Sequence, residues 1–229
     1  MKVAIMQPYF FPYIGYWQLI NAVDVFVIYD DVNFIKKGYI NRNNILLNNK
    51  SYRITLGLLG ASQNKLINEI SLGDNRQNLL KTVKQAYSKA PHFHHVYDML
   101  EGVVITEENN LSLFLENLIK SVSNYIGINT KFIKSSELQK DNSLRGQDKI
   151  LQICEILGAD IYINPVGGRQ LYDKKSFSDK KIRLNFIEPS IIKYQQFGEE
   201  FHPHLSIIDV LMFNSVGSVK EILNNCILI

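Results

Sequence analysis

The stretch Lys2–Ile20, KVAIMQPYFFPYIGYWQLI, constrains this fold more than any other. Val3 to Met6 is a short apolar run closed by Gln7-Pro8, the pattern of a buried strand that stops at a proline. Tyr9-Phe10-Phe11-Pro12-Tyr13 follow, aromatic and stiff, with Pro8 and Pro12 each fixing one φ. Gly15 permits close backbone approach, and a helix can start there and run to Ala22. A strand ending in a polar, proline-braced loop that feeds a helix is where open α/β sheets place ligands, and the helix start offers free N–H groups to an anion. A hydrophobic cap over the core needs neither Gln7 nor this density of proline and glycine.

The next β-rich run, Asp24–Asp31, ends in paired acids and puts Asp30 and Asp31 beside Gln7 on one sheet edge. Val32 to Tyr39 reads as a loop carrying Lys36-Lys37-Gly38. Asn44 to Gly57 alternates about Asn48-Asn49-Lys50, a hairpin signal. Leu66–Leu72 reads as another strand. Helical spacing then takes over in Asn75–Ser88, Phe93–Val103 and Leu111–Ile126. The last has Leu111, Phe114, Leu115, Leu118, Ile119 and Val122 on one face and Gly127 as its C-cap. Strands return at Thr130–Ser135, Asp160–Asn164 and Ile182–Ile187, with helix Arg145–Leu157 and its Gly158 cap between the first two. Phe201–Phe213 passes from loop to helix. Ser218–Cys226 reads as a terminal helix with Ser218 as N-cap and Glu221 at capping-box spacing.

A chain of 229 residues, 46% hydrophobic, can bury a full core. The net charge of +3 is small and its lysines are dispersed, which argues against a nucleic-acid footprint but suits an anionic small molecule. No apolar run is long enough to span a bilayer, and Gln7, Pro8 and Pro12 interrupt any signal-peptide core. Cys154 and Cys226 fall in apolar helical patterns as buried thiols, a usage that fits a reducing cytoplasm.

The residues with chemistry gather after predicted strand ends: Gln7 and Pro8, Gly15 and Tyr16, Asp30 and Asp31, Asn41 and Arg42, Gly167-Gly168-Arg169, and Tyr172. In a parallel sheet they converge on one rim. Arg42 and Arg169 suit a phosphate or carboxylate, which a guanidinium grips with two donors. Gly167-Gly168 can let backbone amides cradle an anion, while Asp30 and Asp31 can serve as base, metal ligands or turn caps. The histidines cluster at His92/His94/His95 and His202/His204 without thiolate or carboxylate companions at ligand spacing, so no metal site is expected. Ser206 lacks the G-x-S-x-G surroundings of a hydrolase nucleophile, and Ser206 and Asp209 read as capping or packing residues.

QPYFFPYIGYWQLI, DVFVIYDDVNFIKKGYINRN, GADIYINPVGGRQLYD and FHPHLSIIDVLMFN together resemble the WbqC-like family across nearly the whole chain. Gln7, Pro8, Pro12, Gly15, Asp30, Asp31, Asn41, Arg42, Gly168, Tyr172, Ser206 and Asp209 match its motifs. The resemblance implies a bacterial cytoplasmic protein of O-antigen or other surface-polysaccharide assembly, a transferase placing a glycyl or related acyl group on an amino sugar. The opening also looks like the strand–loop–helix of class I nucleotidyltransferases, with Tyr13-Ile14-Gly15-Tyr16 at the place of their H-x-G-H motif and neither histidine present.

The expectation is one α/β domain over residues 1–229: a mainly parallel, Rossmann-like sheet, a β-hairpin, and a helical insertion over about 75–128. The expected ligands are a nucleotide-linked amino sugar and an acyl or aminoacyl donor, with no cofactor specified. Arg42 and Arg169 would hold the diphosphate, Asp30 or Asp31 would take the amine proton, and Gln7 would orient the donor carbonyl. Nucleotidyl transfer with Mg²⁺ on Asp30 and Asp31, and non-enzymatic sugar-nucleotide binding, are the alternatives.

Overall fold

The computed structural model describes residues 1–190 and 192–229. Its first strand, β1 (Lys2–Met6), stops before Pro8, and α1 (Ile14–Asn21) follows the braced loop. Gly15 is required by contact: a Cβ there would lie 2.5 Å from the Tyr13 ring and 2.7 Å from Pro189. Strand β2 (Val25–Ile28) lies parallel to β1, Val3 opposite Val25. The hairpin β3 (Arg42–Leu47) and β4 (Lys50–Thr55) closes through Asn48 and Asn49, both left-handed at φ 52° and 56°. That is the two-residue turn whose twist matches the flanking strands.

The strand expected at Leu66–Leu72 is broken by a 3-10 turn, Ile67–Glu69. The Ile67 and Asn68 amides donate to the Val32 and Asp30 carbonyls, so this segment straps the loop after β2 instead of forming a ladder. Leu66 makes a single antiparallel bridge to Asn33, and β6 (Ser71–Leu72) pairs with β5 (Leu58–Leu59). Helices α2 (Arg76–Tyr87), α3 (Phe93–Val104) and α4 (Leu111–Ile126) fill the predicted helical stretch. They share one buried cluster with α1 and the hairpin.

Next come β7 (Lys131–Lys134), α5 (Gly146–Leu157), β8 (Ile161–Pro165), a 3-10 segment Val166–Leu171, α6 (Lys174–Asp179) and β9 (Arg183–Pro189). Helix α7 (Ile207–Phe213) precedes α8 (Val216–Asn224). Ser215, not Ser218, caps α8, accepting from the Ser218 amide at 3.2 Å. The helix also ends early, because Gln18 Nε2 binds the Ile222 and Asn225 carbonyls at 2.8 and 2.9 Å. Cys226 therefore opens a strand, β10 (Cys226–Leu228), and is half-buried. Cys154 is buried on α5, and burial pushes its thiol pKa up to about 12.

The six-stranded sheet has the order β10-β9-β8-β1-β2-β7, parallel except for β10. Side chains alternate across it. Val3, Ile5, Val25 and Val27 pack on Ile150, Ile153 and Phe177 of α5 and α6, while Ala4, Phe26 and Ile28 join the larger cluster with Trp17, Ile20 and Phe114. Connections leave β1 in both directions, so the carboxyl ends of β1 and β8 meet where the strand order reverses, the place where such sheets open a crevice. Among the described residues no helix is long and apolar enough to cross a membrane.

Candidate functional site

Two cavities open on that carboxyl edge. The larger, about 840 Å³, lies beyond β2 and β7, and the smaller, about 400 Å³, beyond β1 and β9. The 3-10 segment after β8 stands between them, giving Val166 to the smaller and Leu171 to the larger.

The larger cavity is polar and basic on one side. Arg145, Gly146, Gln147 and Lys149 line it from the start of α5, facing Tyr29, Asp31, Ser136 and Tyr172. Among the described residues the Arg145 side chain makes no cap hydrogen bond to the first turn of α5, whose residues Gly146 and Gln147 line the opening. Amides and dipole there favour an anion. Asp31 Oδ2 accepts from Lys140 at 2.8 Å and Lys149 at 3.1 Å, and both lysine side chains are almost wholly buried. Burial alone would raise the Asp31 carboxyl; the hydrogen bonds and charge of Lys140 and Lys149 outweigh it and hold the pKa below the ordinary value.

Asp30, one residue away, turns into the core. Its carboxylate accepts from the Ser112 hydroxyl at 3.0 Å, the Ser136 amide at 3.0 Å and the Ser136 hydroxyl at 2.7 Å, tying β2 to α4 and to the turn after β7. The pair thus has separate duties. Neither acid stands as a free base: Asp30 is 1% exposed with its oxygens in use, and Asp31 is held ionised by two ammonium groups, which makes it a weak proton acceptor.

The expected convergence of arginines on this rim does not occur. Arg42 donates to the Gly38 carbonyl at 2.9 Å and to that of Lys37, clamping the loop ahead of β3, and lines neither cavity. Arg169 is exposed on the 3-10 segment and also lines neither. Gly167 and Gly168 carry no positive φ and lie within 3-10 turns rather than an open amide cradle. Gly168 is there for contact, since a Cβ would fall 2.2 Å from Asn164 Oδ1. Asn164 donates to Tyr162 at 2.8 Å, and Tyr162 to Tyr172 at 3.3 Å, so this packing positions a wall of the larger cavity.

The braced loop is structural to a degree its composition hides. Tyr16 is 2% exposed and its hydroxyl donates to the Gln7 carbonyl at 2.9 Å, so it belongs to the core rather than to a ligand. Gln7 is half-buried, Pro8 is buried, and neither lines a cavity. Asn41 ties to the Leu56 carbonyl at 2.9 Å. Ser206 caps α7 and donates to the Phe11 carbonyl at 2.7 Å. Asp209 is fully buried and accepts from Tyr87, Tyr194 and Gln196 at 2.8, 2.7 and 2.6 Å. Burial raises its pKa despite those three donors.

The smaller cavity was foreseen only in part. Tyr9 and Tyr13 come from the braced loop, and Tyr39 and His204 from two other motif blocks where neither was singled out as a site residue, whereas Glu188 and Tyr194 come from segments without a motif. Burial, with the neighbouring phenols second, raises the pKa of Tyr9 and Tyr13. In the larger cavity, Arg145 and Lys149 fall within the helix expected over Arg145–Leu157 and match no site motif. The missed signal was a basic residue immediately before an uncapped helix start that follows a strand end.

A profile of the WbqC-like protein family matches residues 7–221. An uncharacterized protein of Mycobacterium tuberculosis (strain ATCC 25618 / H37Rv), Rv1507c, is 29% identical over 230 residues, spanning 98% of each chain. No solved structure matches. With the family's profile covering four of the six sheet strands and every residue that lines the two cavities at the sheet's carboxyl edge, this chain belongs to the WbqC-like protein family.

Proposed function

We propose that this protein is a cytoplasmic transferase of surface-polysaccharide assembly, joining an acyl or aminoacyl group to the amine of a nucleotide-linked amino sugar. The observation that carries the reading is the pairing of a basic, helix-headed cavity with an aromatic one across a single 3-10 segment. The basic cavity is the place for the diphosphate, with the α5 amides, Arg145 and Lys149 as donors and Tyr29 and Tyr172 as walls. The aromatic cavity takes the second substrate. In the reaction the amine nitrogen bonds to the acyl carbon as the bond to the donor's leaving group breaks, and the nitrogen gives up one proton. His204, the imidazole on the wall of the aromatic cavity, is the group we assign to that proton.

Arg145 is exposed and its recorded hydrogen bonds reach only carbonyls of the preceding turn, so it can be changed without touching the core. A thermal-shift and calorimetry panel of uridine and thymidine diphosphate amino sugars should give a hit that Arg145→Ala weakens by about 1–3 kcal/mol. No hit in the panel, or equal binding by Arg145→Ala, would overturn the assignment of the cavity. Binding with no amide product from any acyl donor, followed by mass spectrometry, would make the protein a sugar-nucleotide binder instead of an enzyme.

A further inference from the structure

The smaller cavity has an electrostatic character opposite to its neighbour's. Tyr9, Tyr13, Tyr39 and Tyr194 line it, and among the described residues no lysine or arginine does. Glu188, at the carboxyl end of β9, is the acid in its lining. Among the described residues that carboxylate has neither an ion pair nor a hydrogen bond. The rings are held in place by their surroundings. Tyr9 lies 6.0 Å from Tyr39 and 5.5 Å from Tyr16 between ring centroids, and the Tyr194 hydroxyl is fixed by its bond to Asp209 at 2.7 Å.

Glu188 is exposed and shares the lining of this cavity with the tyrosines, so a cation entering it would be drawn by the carboxylate's charge and, over a ring face, by the ring quadrupole as well. The same walls disfavour an anion, because no positive lysine or arginine meets it and a desolvated negative charge would face Glu188. We infer that the aromatic cavity is a receptor for a primary ammonium group, with Glu188 as its counter-ion and Tyr9, Tyr13 and Tyr39 as its box. The ammonium would belong to the α-amino group of an aminoacyl donor or to the acceptor sugar itself, which would have to release one proton to solvent before its neutral amine attacks and gives up the second. Its part in a reaction rests on the acyl-transfer reading above, whereas its binding does not.

Glycinamide and glycolamide separate charge from shape, since they differ by an ammonium in place of a hydroxyl. Titration of the intact protein, followed by calorimetry or by nuclear magnetic resonance of the tyrosine rings, should show glycinamide bound at least tenfold more tightly than glycolamide. Glu188→Gln should reduce that preference at least tenfold and Tyr39→Ala severalfold, while Arg145→Ala leaves it unchanged. Saturation with a nucleotide-linked amino sugar identifies the source. Displacement of glycinamide by the amino sugar, but not by its N-acetylated counterpart, assigns the box to the acceptor; simultaneous binding assigns it to the donor. Equal affinity for the two amides, or a preference that survives Glu188→Gln, overturns the ammonium assignment. Because sugar-nucleotide binding is read separately through Arg145, that result would leave the larger cavity's role standing.

Discussion

Asn43 donates through its side-chain amide to the Phe11 carbonyl at 2.7 Å, and Phe11 is held there at a left-handed φ of 41°. The same amide reaches the Phe10 carbonyl at 3.2 Å, and Ser206 supplies a second donor to Phe11. A bulky residue in this region is disfavoured by contact with its own backbone, so the hairpin and α7 together hold the conformation of the loop that walls the aromatic cavity. Asn43→Ala should lower stability by about 1–3 kcal/mol in chemical denaturation. Asn43→Asp should cost more, because a carboxylate would then face two carbonyls. Wild-type stability in Asn43→Asp would show that the amide does not hold the loop.

Asp31 and its two lysines predict an acid-side loss of stability. The folded pKa lies below the unfolded one, so the ion cluster stabilises the fold above the unfolded value, about 3.9, and that contribution is lost as pH falls through the folded pKa. Wild-type melting temperature should therefore fall below about pH 4 more steeply than that of Asp31→Asn. At neutral pH the variant should be less stable by about 3–5 kcal/mol, because Lys140 and Lys149 remain buried without a counter-ion.

Asp209 has the opposite sign. Its folded pKa is raised, so the associated stabilisation is fully present below about pH 3.9 and is lost as pH rises through the folded value. Asp209→Asn carries a constant penalty, since an amide N–H meets hydroxyl and amide donors already aimed at that point. Its deficit relative to wild type should narrow as pH rises from about 4. Parallel stability curves for the two proteins would exclude titration of Asp209 over that range.

The adjacent glycines after β8 should respond differently. A methyl group on Gly168 meets Asn164 Oδ1, whose displacement disturbs the Tyr162–Tyr172 chain, whereas nothing lies within 4 Å of a Cβ on Gly167. Gly168→Ala should lose about 1–3 kcal/mol of stability and weaken sugar-nucleotide binding; Gly167→Ala should leave both nearly unchanged. Equal effects in paired melts and titrations would remove the packing explanation.

Arg42 should behave as a loop clamp. Arg42→Lys loses the fork that holds the Lys37 and Gly38 carbonyls, and should cost about 1 kcal/mol in stability with sugar-nucleotide affinity unchanged. A selective loss of affinity at unchanged melting temperature would return Arg42 to the binding site.

What could be read from residues alone followed the strength of the local signal. Leu111–Ile126, with its wide apolar face and Gly127 cap, matches α4 at both ends, and Asn48-Asn49 marks the hairpin turn. Leu66–Leu72 misled because strand-like composition cannot reveal that the Val32 and Asp30 carbonyls will take its amides. Ser218 misled because Ser215 offers the same capping chemistry one turn earlier. The site was legible as an edge but not as a residue set. A strand end predicts where a side chain begins, and the local carbonyls that capture Arg42 decide where it ends. Glu188 and Tyr194 carry no motif and are brought to the cavity by the sheet and by Asp209, so only tertiary structure reveals them.

The position of β1 also sets the order of assembly. Val3 pairs with Val25 on one side and with Tyr162 on the other, so its second neighbour is made only after most of the chain has been synthesised. Until then one edge of a strand buried at Val3, Ala4 and Ile5 has no partner, and closing that gap carries the entropic delay of a distant contact. The two cavities straddle the strands joined by this late pairing. A nascent or truncated chain ending before β8 would have much of its helical core but no binding edge, and would expose an apolar strand to aggregation. Binding competence thus depends on a pairing between distant parts of the chain, and ligand binding serves as a readout that this pairing has formed.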